Sequence, residues 1–319
     1  MIPQFGTERL IFAPGQVYPV ITGYRNLPEL QSRIAPFSDR VLRKDCYGLP
    51  EKTYQKRYVE LSTKQEQMYR DLKKKCITEC HGKRMSAALA ITKMLRLQQI
   101  VGGFYVPDLD NRLDQYQDKE LSIKIQRQFD VDTHGFGLPR IDEEVWADRF
   151  DNKAIPIDKV NPRIEALVDD IRERLTGKVI VWARFVAEIQ AIQKRLSEEL
   201  SPRAVRVAYG QMKAEERQQQ IKDFQDDPRV AVLIANPACK GVSRGQNLNK
   251  ASWEVYYSNS FSLEDREQSE ARPFSMGVGE VGIIDMIAPG TLDEHVIAAL
   301  RDKKEIASLV LGDALEAWI

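Results

Sequence analysis

Between Lys178 and Leu311 the chain alternates short apolar runs with segments of helical periodicity five times over. The runs are KVIVWAR (178–184), RAVRVAYG (203–210), VAVLIANPA (230–238), WEVYYSN (253–259) and VGIIDMIAP (281–289). They are rich in valine, isoleucine and tyrosine and apolar on both faces, as a parallel strand must be when crossover helices cover its sheet above and below. The expected fold class is therefore α/β, an open parallel sheet with flanking helices. In such a sheet the ligand site is built by the loops that leave the carboxyl ends of the strands.

The helical segments carry end signals. Asn161 precedes Pro162, a cap followed by proline at the first helical position, and Ile164, Leu167, Val168, Ile171 and Leu175 share one face. The last helix opens on Thr291 and Glu294 at capping-box spacing and continues through Val296, Ile297, Leu300 and Ile306. Upstream, Ser62 and Gln65 form another such pair ahead of a helix in which Tyr69, Leu72 and Cys76 share a face, with Lys73, Lys74 and Lys75 on its charged side. A further helix runs from about Met85 through Ile91, Leu95 and Gln98 to a stop at Gly102 and Gly103.

Charge divides the chain more sharply than its net value of zero suggests. Residues 1–105 hold 18 Lys+Arg against 9 Asp+Glu, while the rest holds 29 against 38. A basic, mainly helical first third suits either a polyanion-binding arm or a solvated helical face. Residues 106–160 are acidic, broken by Pro107, Gly135, Gly137, Pro139 and Pro156, and read as a linker or surface insertion. The α/β domain is placed at 161–319.

Four cysteines (Cys46, Cys76, Cys80 and Cys239) are too few and scattered for a disulfide framework, and Cys76, Cys80 and His81 lack the fourth ligand of a structural zinc site, so no metal centre is expected. No apolar stretch approaches the ~20 residues that span a bilayer, and the opening MIPQFGTERL has no signal-sequence pattern, so no membrane partner and a cytoplasmic location are expected.

Three loops carry candidate chemistry. After the third run comes ACKGVSRGQNLNKAS (238–252), in which Gly241 and Gly245 permit close backbone approach and Lys240 and Arg244 add positive charge. After the fourth comes SNSFSLEDREQSEARPFSMG (258–277), with Gln268 and Arg272 on or just beyond a helix. Gly210 ends the second run, with Arg217 and Phe224 on the following helix.

These blocks together resemble the second RecA-like lobe of superfamily 2 helicases, most closely the switch/sucrose-nonfermenting type of DNA translocase and the short helicase-like proteins of bacteriophages. The resembling pieces are KVIVWARF, YGQMKAEERQQQIKDFQ, SRGQNLNKAS, VYYSNSFSLEDREQSEAR and APGTLDEHVIAALRDKK, in order over about 140 residues. Upstream, RVLRKDCYGLPEKTYQKRYVELSTKQEQMY (40–69) resembles the end of lobe 1 and the start of the inter-lobe helices.

The resemblance implies a RecA-like sheet that completes an ATP and magnesium site with a lobe 1 partner and grips DNA, double- or single-stranded. Arg272 and Gln268 are the implied catalytic residues, and Gly241, Gly245 and Asn247 the implied nucleotide contacts. Arg184, Lys240, Arg244, Ser258 and Asn259 are the implied nucleic-acid contacts. Trp182, beside Arg184, is either a base-stacking platform or core. If the protein is phage-encoded, the implied location is the host cytoplasm.

Two departures shape the expectation. No GxxxxGK[ST] phosphate loop occurs in the sequence, and Asp142-Glu143-Glu144 and Asp293-Glu294-His295 fall in the insertion and on the closing helix, where neither makes a magnesium box. Ser275 stands where the family has a second arginine, which leaves Arg272 as the one arginine finger; paired with Glu270 or Asp265, it would instead be a surface ion pair. The chain alone is thus expected to be inactive, working either as the second lobe of a split motor or as a nucleic-acid-binding or regulatory module that keeps the fold. A small-molecule enzyme is disfavoured, since no GxGxxG follows the first strand and none of the three histidines lies near a strand end.

Overall fold

The computed structural model describes residues 6–13, 16–24, 26–37, 52–80, 87–106, 154–239, 242, 248–274 and 279–311. All five apolar runs form strands: β6 (Lys178–Trp182), β7 (Val205–Ala208), β8 (Val232–Ala235), β9 (Ala251–Tyr256) and β10 (Val281–Ile287). A sixth strand, β3 (Lys52–Tyr58), joins them from the basic first third, giving the order β3-β10-β9-β6-β8-β7. Every pairing in this sheet is parallel, so all six carboxyl ends share one edge.

Strand β3 was not among the expected strands, because KTYQKRY is polar and only exposed or half-buried, where the others are mainly apolar. It is an edge strand, with Lys52 opposite Val281 and Tyr58 opposite Ile287. Charged side chains on such an edge also discourage pairing with other chains.

The sheet separates two cores. On one face Val179, Val181, Val232, Ile234 and Ile284 pack under α4 (Pro162–Glu173) and α5 (Val186–Glu199), which contribute Ile164, Leu167, Ile189 and Ile192. On the other, Ile180, Trp182, Leu233 and Ile283 pack with Ile221 and Phe224 of α6 (Ala214–Asp226). Each fully buried aliphatic side chain stabilises the fold by about 1.5–3 kcal/mol, so strands buried on both faces dominate the stability.

The first third contributes β1 (Gly6–Ala13) and β2 (Gln16–Tyr24), an antiparallel pair, and α1 (Leu27–Ile34). It also contributes α2 (Thr63–Cys80) and α3 (Ala87–Gly102), the latter followed by β4 (Phe104–Tyr105), which pairs with β5 (Ile155–Pro156). The Ser62 and Gln65 pair is reciprocal: Gln65 N–H donates to Ser62 Oγ and Ser62 N–H to Gln65 Oε1, both at 3.1 Å. The remaining helices are α7 (Leu263–Glu270) and α8 (Leu292–Leu311).

At α8 the capping is shifted from the expected box. Asp293 N–H donates to Thr291 Oγ1 at 3.3 Å, and Glu294 accepts from Gly290 N–H at 3.1 Å. Asp293 accepts from Ala288 N–H and pairs at 2.8 Å with buried Arg163 of α4, so Asp293 and Glu294 serve the start of this helix.

Asn161 caps α4 as expected, accepting from Arg163 N–H at 3.0 Å, while its Nδ2 donates to the Gly102 carbonyl at 2.8 Å. Gly103 ends α3 at φ +95°, and a Cβ there would sit 2.0 Å from Asn161 Nδ2. Gly103→Ala is therefore expected to destabilise by more than Gly290→Ala. Gly290 also has positive φ (+69°) but open space around it, so its cost is the left-handed backbone alone, about 1–2 kcal/mol. Gly279→Ala, with no atom within 4 Å, is the neutral reference. Urea midpoints of the three variants check the ranking.

Candidate functional site

The carboxyl edge gathers the loops after β6, β8 and β9. Arg184 leaves β6 with its backbone tied on both sides: its N–H donates to Ser258 Oγ at 2.8 Å, and its carbonyl accepts from Asn236 Nδ2 at 2.7 Å. Ser258 Oγ in turn donates to Glu188 of α5 at 2.5 Å. The structure thus brings Arg184, Ser258 and Asn259 together. The side chains of Ser258 and Asn259 are buried and hydrogen-bonded within the protein, however, so they shape this edge from inside.

Asn259 belongs to a buried charge cluster. Its Nδ2 donates to Asp285 of β10 at 2.9 Å, and its Oδ1 accepts from Arg266 of α7 at 2.8 Å. Arg266 grips Asp285 through Nη1 at 2.5 Å and Nη2 at 3.0 Å, donates from Nε to Glu270 at 2.6 Å, and stacks 3.5 Å from the Tyr256 ring centre. Burial opposes the arginine's charge, but Asp285 and Glu270 outweigh it and hold its pKa well above the ordinary value. Glu270 also accepts from Lys52 at 3.2 Å and Tyr54 at 3.0 Å, which ties α7 to β3.

This cluster fixes α7, and α7 sets the two expected catalytic positions. Gln268 lies on the outer side, donating to Glu264 at 2.9 Å. Arg272 follows the helix end, half-buried, with Nε donating to the Gln268 carbonyl at 2.9 Å. Its own carbonyl accepts from Leu248 N–H at 3.0 Å, so the end of the 238–252 loop reaches this arginine. Lys240, Gly241, Arg244, Gly245, Asn247 and Ser275 lie outside the described residues, as do Asp142, Glu143 and Glu144. Trp182 is core, fully buried, with its indole N–H donating to Glu254 at 2.8 Å.

The residues that sequence reasoning missed are Arg266, Asp285, Glu254, Glu188 and Gln98. Two left a signal: Glu254 and Asp285 interrupt strands that are otherwise apolar on both faces, and a carboxyl group there needs a buried partner.

Two of these carboxyls have raised pKa values. Burial pushes Glu254 up to about 8, against the Trp182 hydrogen bond, and pushes Glu188 up to about 7, against the bonds from Ser258 and Phe185. One oxygen of each finds no hydrogen-bond donor among the described residues. The folded chain therefore keeps protons that the unfolded chain releases near pH 4.5, and the stability they provide is full below that pH and lost as pH rises through about 7 and 8. Glu254→Gln retains an acceptor for Trp182 and removes one of the two steps. Its urea midpoint is expected to fall less than wild type's between about pH 6 and pH 9.

Comparison with known proteins agrees with this architecture. The helicase conserved C-terminal domain family matches residues 162–277. The chromatin-remodeling ATPase INO80 of Mycosarcoma maydis is 26% identical over 104 residues, 32% of this chain and 5% of that protein. The chain thus matches only a small part of its curated relative's length. Among solved structures, the C-terminal part of the Fun30 ATPase domain superposes with TM-score 0.52 at 16% identity, covering 84% of this chain and 92% of that one. The Sulfolobus solfataricus SWI2/SNF2 ATPase core in complex with dsDNA gives 0.50 at 19%, covering 90% and 52%. Among the described residues no helix is long and apolar enough to cross a membrane. Residues 162–277 thus match the helicase conserved C-terminal domain family, and the chain has the fold of the C-terminal part of the Fun30 ATPase domain.

Proposed function

We propose that the chain is the receiving lobe of an ATP-dependent DNA translocase. It presents Arg272 to a nucleotide held by a first lobe, whether that lobe is a separate polypeptide or further sequence of its own. The observation that carries this reading is the placement of Arg272. The arginine is half-buried at the end of a helix anchored by a buried ion cluster, and it is joined through its carbonyl to the loop expected to meet nucleotide. An arginine so held meets charge developing on a transferred phosphoryl group without reorganising, which is where arginines act in phosphoryl transfer.

ATP and magnesium are shared with the first lobe, which supplies the phosphate loop that this sequence lacks. Gly241, Gly245 and Asn247 are the proposed nucleotide contacts. DNA lies along the carboxyl edge, met by Arg184, Lys240 and Arg244, with Ser258 and Asn259 bracing the loops beneath it. The dsDNA complex of the S. solfataricus core supports duplex DNA as the ligand. Phosphate contacts of this kind position a protein on DNA without reading sequence.

The test is ATP hydrolysis by the purified chain, alone and mixed with a first lobe from a related translocase, with and without duplex DNA. The chain alone is expected to be inactive and the mixture to hydrolyse ATP in a DNA-stimulated manner. Robust hydrolysis by the chain alone would sink this reading. Ser275, in place of a second arginine, favours a binding or regulatory module as the other reading; DNA binding without hydrolysis in any mixture would select it.

A further inference from the structure

We propose that Gln98 is a positioning residue for Arg184, orienting its guanidinium toward a nucleic-acid phosphate; this rests on the reading of Arg184 as a DNA contact. Gln98 lies on α3, outside the stretch that matches the helicase family, and its side chain is 6% exposed. Its single amide serves two loops of the carboxyl edge. Oε1 accepts from Arg184 Nη1, and Nε2 donates to the Asn259 carbonyl at 3.1 Å. The second bond fixes the first, because turning the amide over would set NH2 against guanidinium and oxygen against carbonyl.

A second contact from the same region sets the plane of the arginine. The Arg184 guanidinium lies 5.3 Å from the Phe185 ring centre, and that ring meets Phe104, just beyond α3, edge-on at 5.5 Å. With its backbone N–H and carbonyl already bonded, Arg184 is held at main chain, ring and guanidinium. A guanidinium held in one plane suits two-pronged binding of phosphate oxygens, and less rotamer freedom is lost on binding.

The experiment is a double-mutant cycle on the full chain, reading the affinity for a fluorescein-labelled DNA duplex across a salt series. Arg184→Ala is expected to reduce the slope of log affinity against log salt by about 0.9, the loss of one phosphate contact. Gln98→Met is expected to weaken binding roughly threefold to tenfold in the wild-type background, as ordering a loose arginine now falls to the binding step, and to have no effect in the Arg184→Ala background. Gln98→Glu keeps an acceptor for Arg184 but sets an oxygen against the Asn259 carbonyl and neutralises the guanidinium, so it is expected to lower the salt slope toward that of Arg184→Ala, whereas Gln98→Met leaves the slope unchanged.

Equal weakening by Gln98→Met in both backgrounds, or identical behaviour of the Met and Glu variants, would overturn the proposal and leave the Arg184 reading standing. If Arg184→Ala leaves the slope unchanged, or the chain binds no duplex, the reading fails and the proposal with it. If Gln98→Met does not fold, Gln98→Asn, too short to span both partners, takes its place.

Discussion

Replacing Arg266 with alanine is expected to lower the unfolding free energy by about 3–5 kcal/mol, the typical penalty for stranding one side of a buried ion pair. Arg266 and its partners Asp285 and Glu270 are each no more than 3% exposed. The losses are unequal. Glu270 would still accept from Lys52 and Tyr54, whereas Asp285 would keep only the Asn259 amide among the bonds described above. Adding Asp285→Asn, which removes the stranded charge, is therefore expected to recover more stability than adding Glu270→Gln. Urea titrations of the single and double variants measure this; a single variant within about 0.5 kcal/mol of wild type would show the cluster to be dispensable. Since a domain's whole margin is about 5–15 kcal/mol, this one guanidinium holds a large share of it.

The second large effect is catalytic. In a mixture with a first lobe, Arg272→Ala is expected to reduce DNA-stimulated turnover by about 10³-fold or more, the lower range for an arginine finger. Ser275 stands where the resembling helicases have another arginine, so that position supplies no second guanidinium. Arg272→Lys is expected to fail nearly as badly, because a point charge on a flexible stem does not reproduce the planar fork. Turnover within tenfold of wild type for Arg272→Ala would mean that this arginine merely caps α7 through the Gln268 carbonyl. Arg266 separates the two effects, since its variants are expected to change stability first.

Most of the sheet was legible in the sequence because burial on both faces leaves a continuous apolar run, and all five such runs became strands. The caps at Ser62 and Asn161 were legible because their chemistry is local. Strand β3 was hidden because its positions are only exposed or half-buried and lack that run, unlike β7 at the other edge, which is mostly buried. The inner arrangement of the site was hidden for another reason. Arg266, Ser269 and Glu270 occupy the buried side of α7, while Gln268 and Glu264 pair on the outer side. A helix as polar as LEDREQSE has no apolar stripe to reveal which side faces in. Gln98 was invisible as a site residue, since its partners stand 86 and 161 residues away.

The pairing of β3 with β10 also bears on the order in which a ribosome releases the fold. Strand β3 is among the first parts of the sheet to be synthesised, yet its partner is made about 230 residues later, roughly ten to fifty seconds at ordinary elongation rates. Until then β3 has no neighbour in the sheet, and the flank of β9 that β10 will cover stays open. The last strand of this sheet to be translated is thus the one that joins β3 to β9, and a nascent chain stalled before Val281 would carry the facing flanks of both unpaired into the cell.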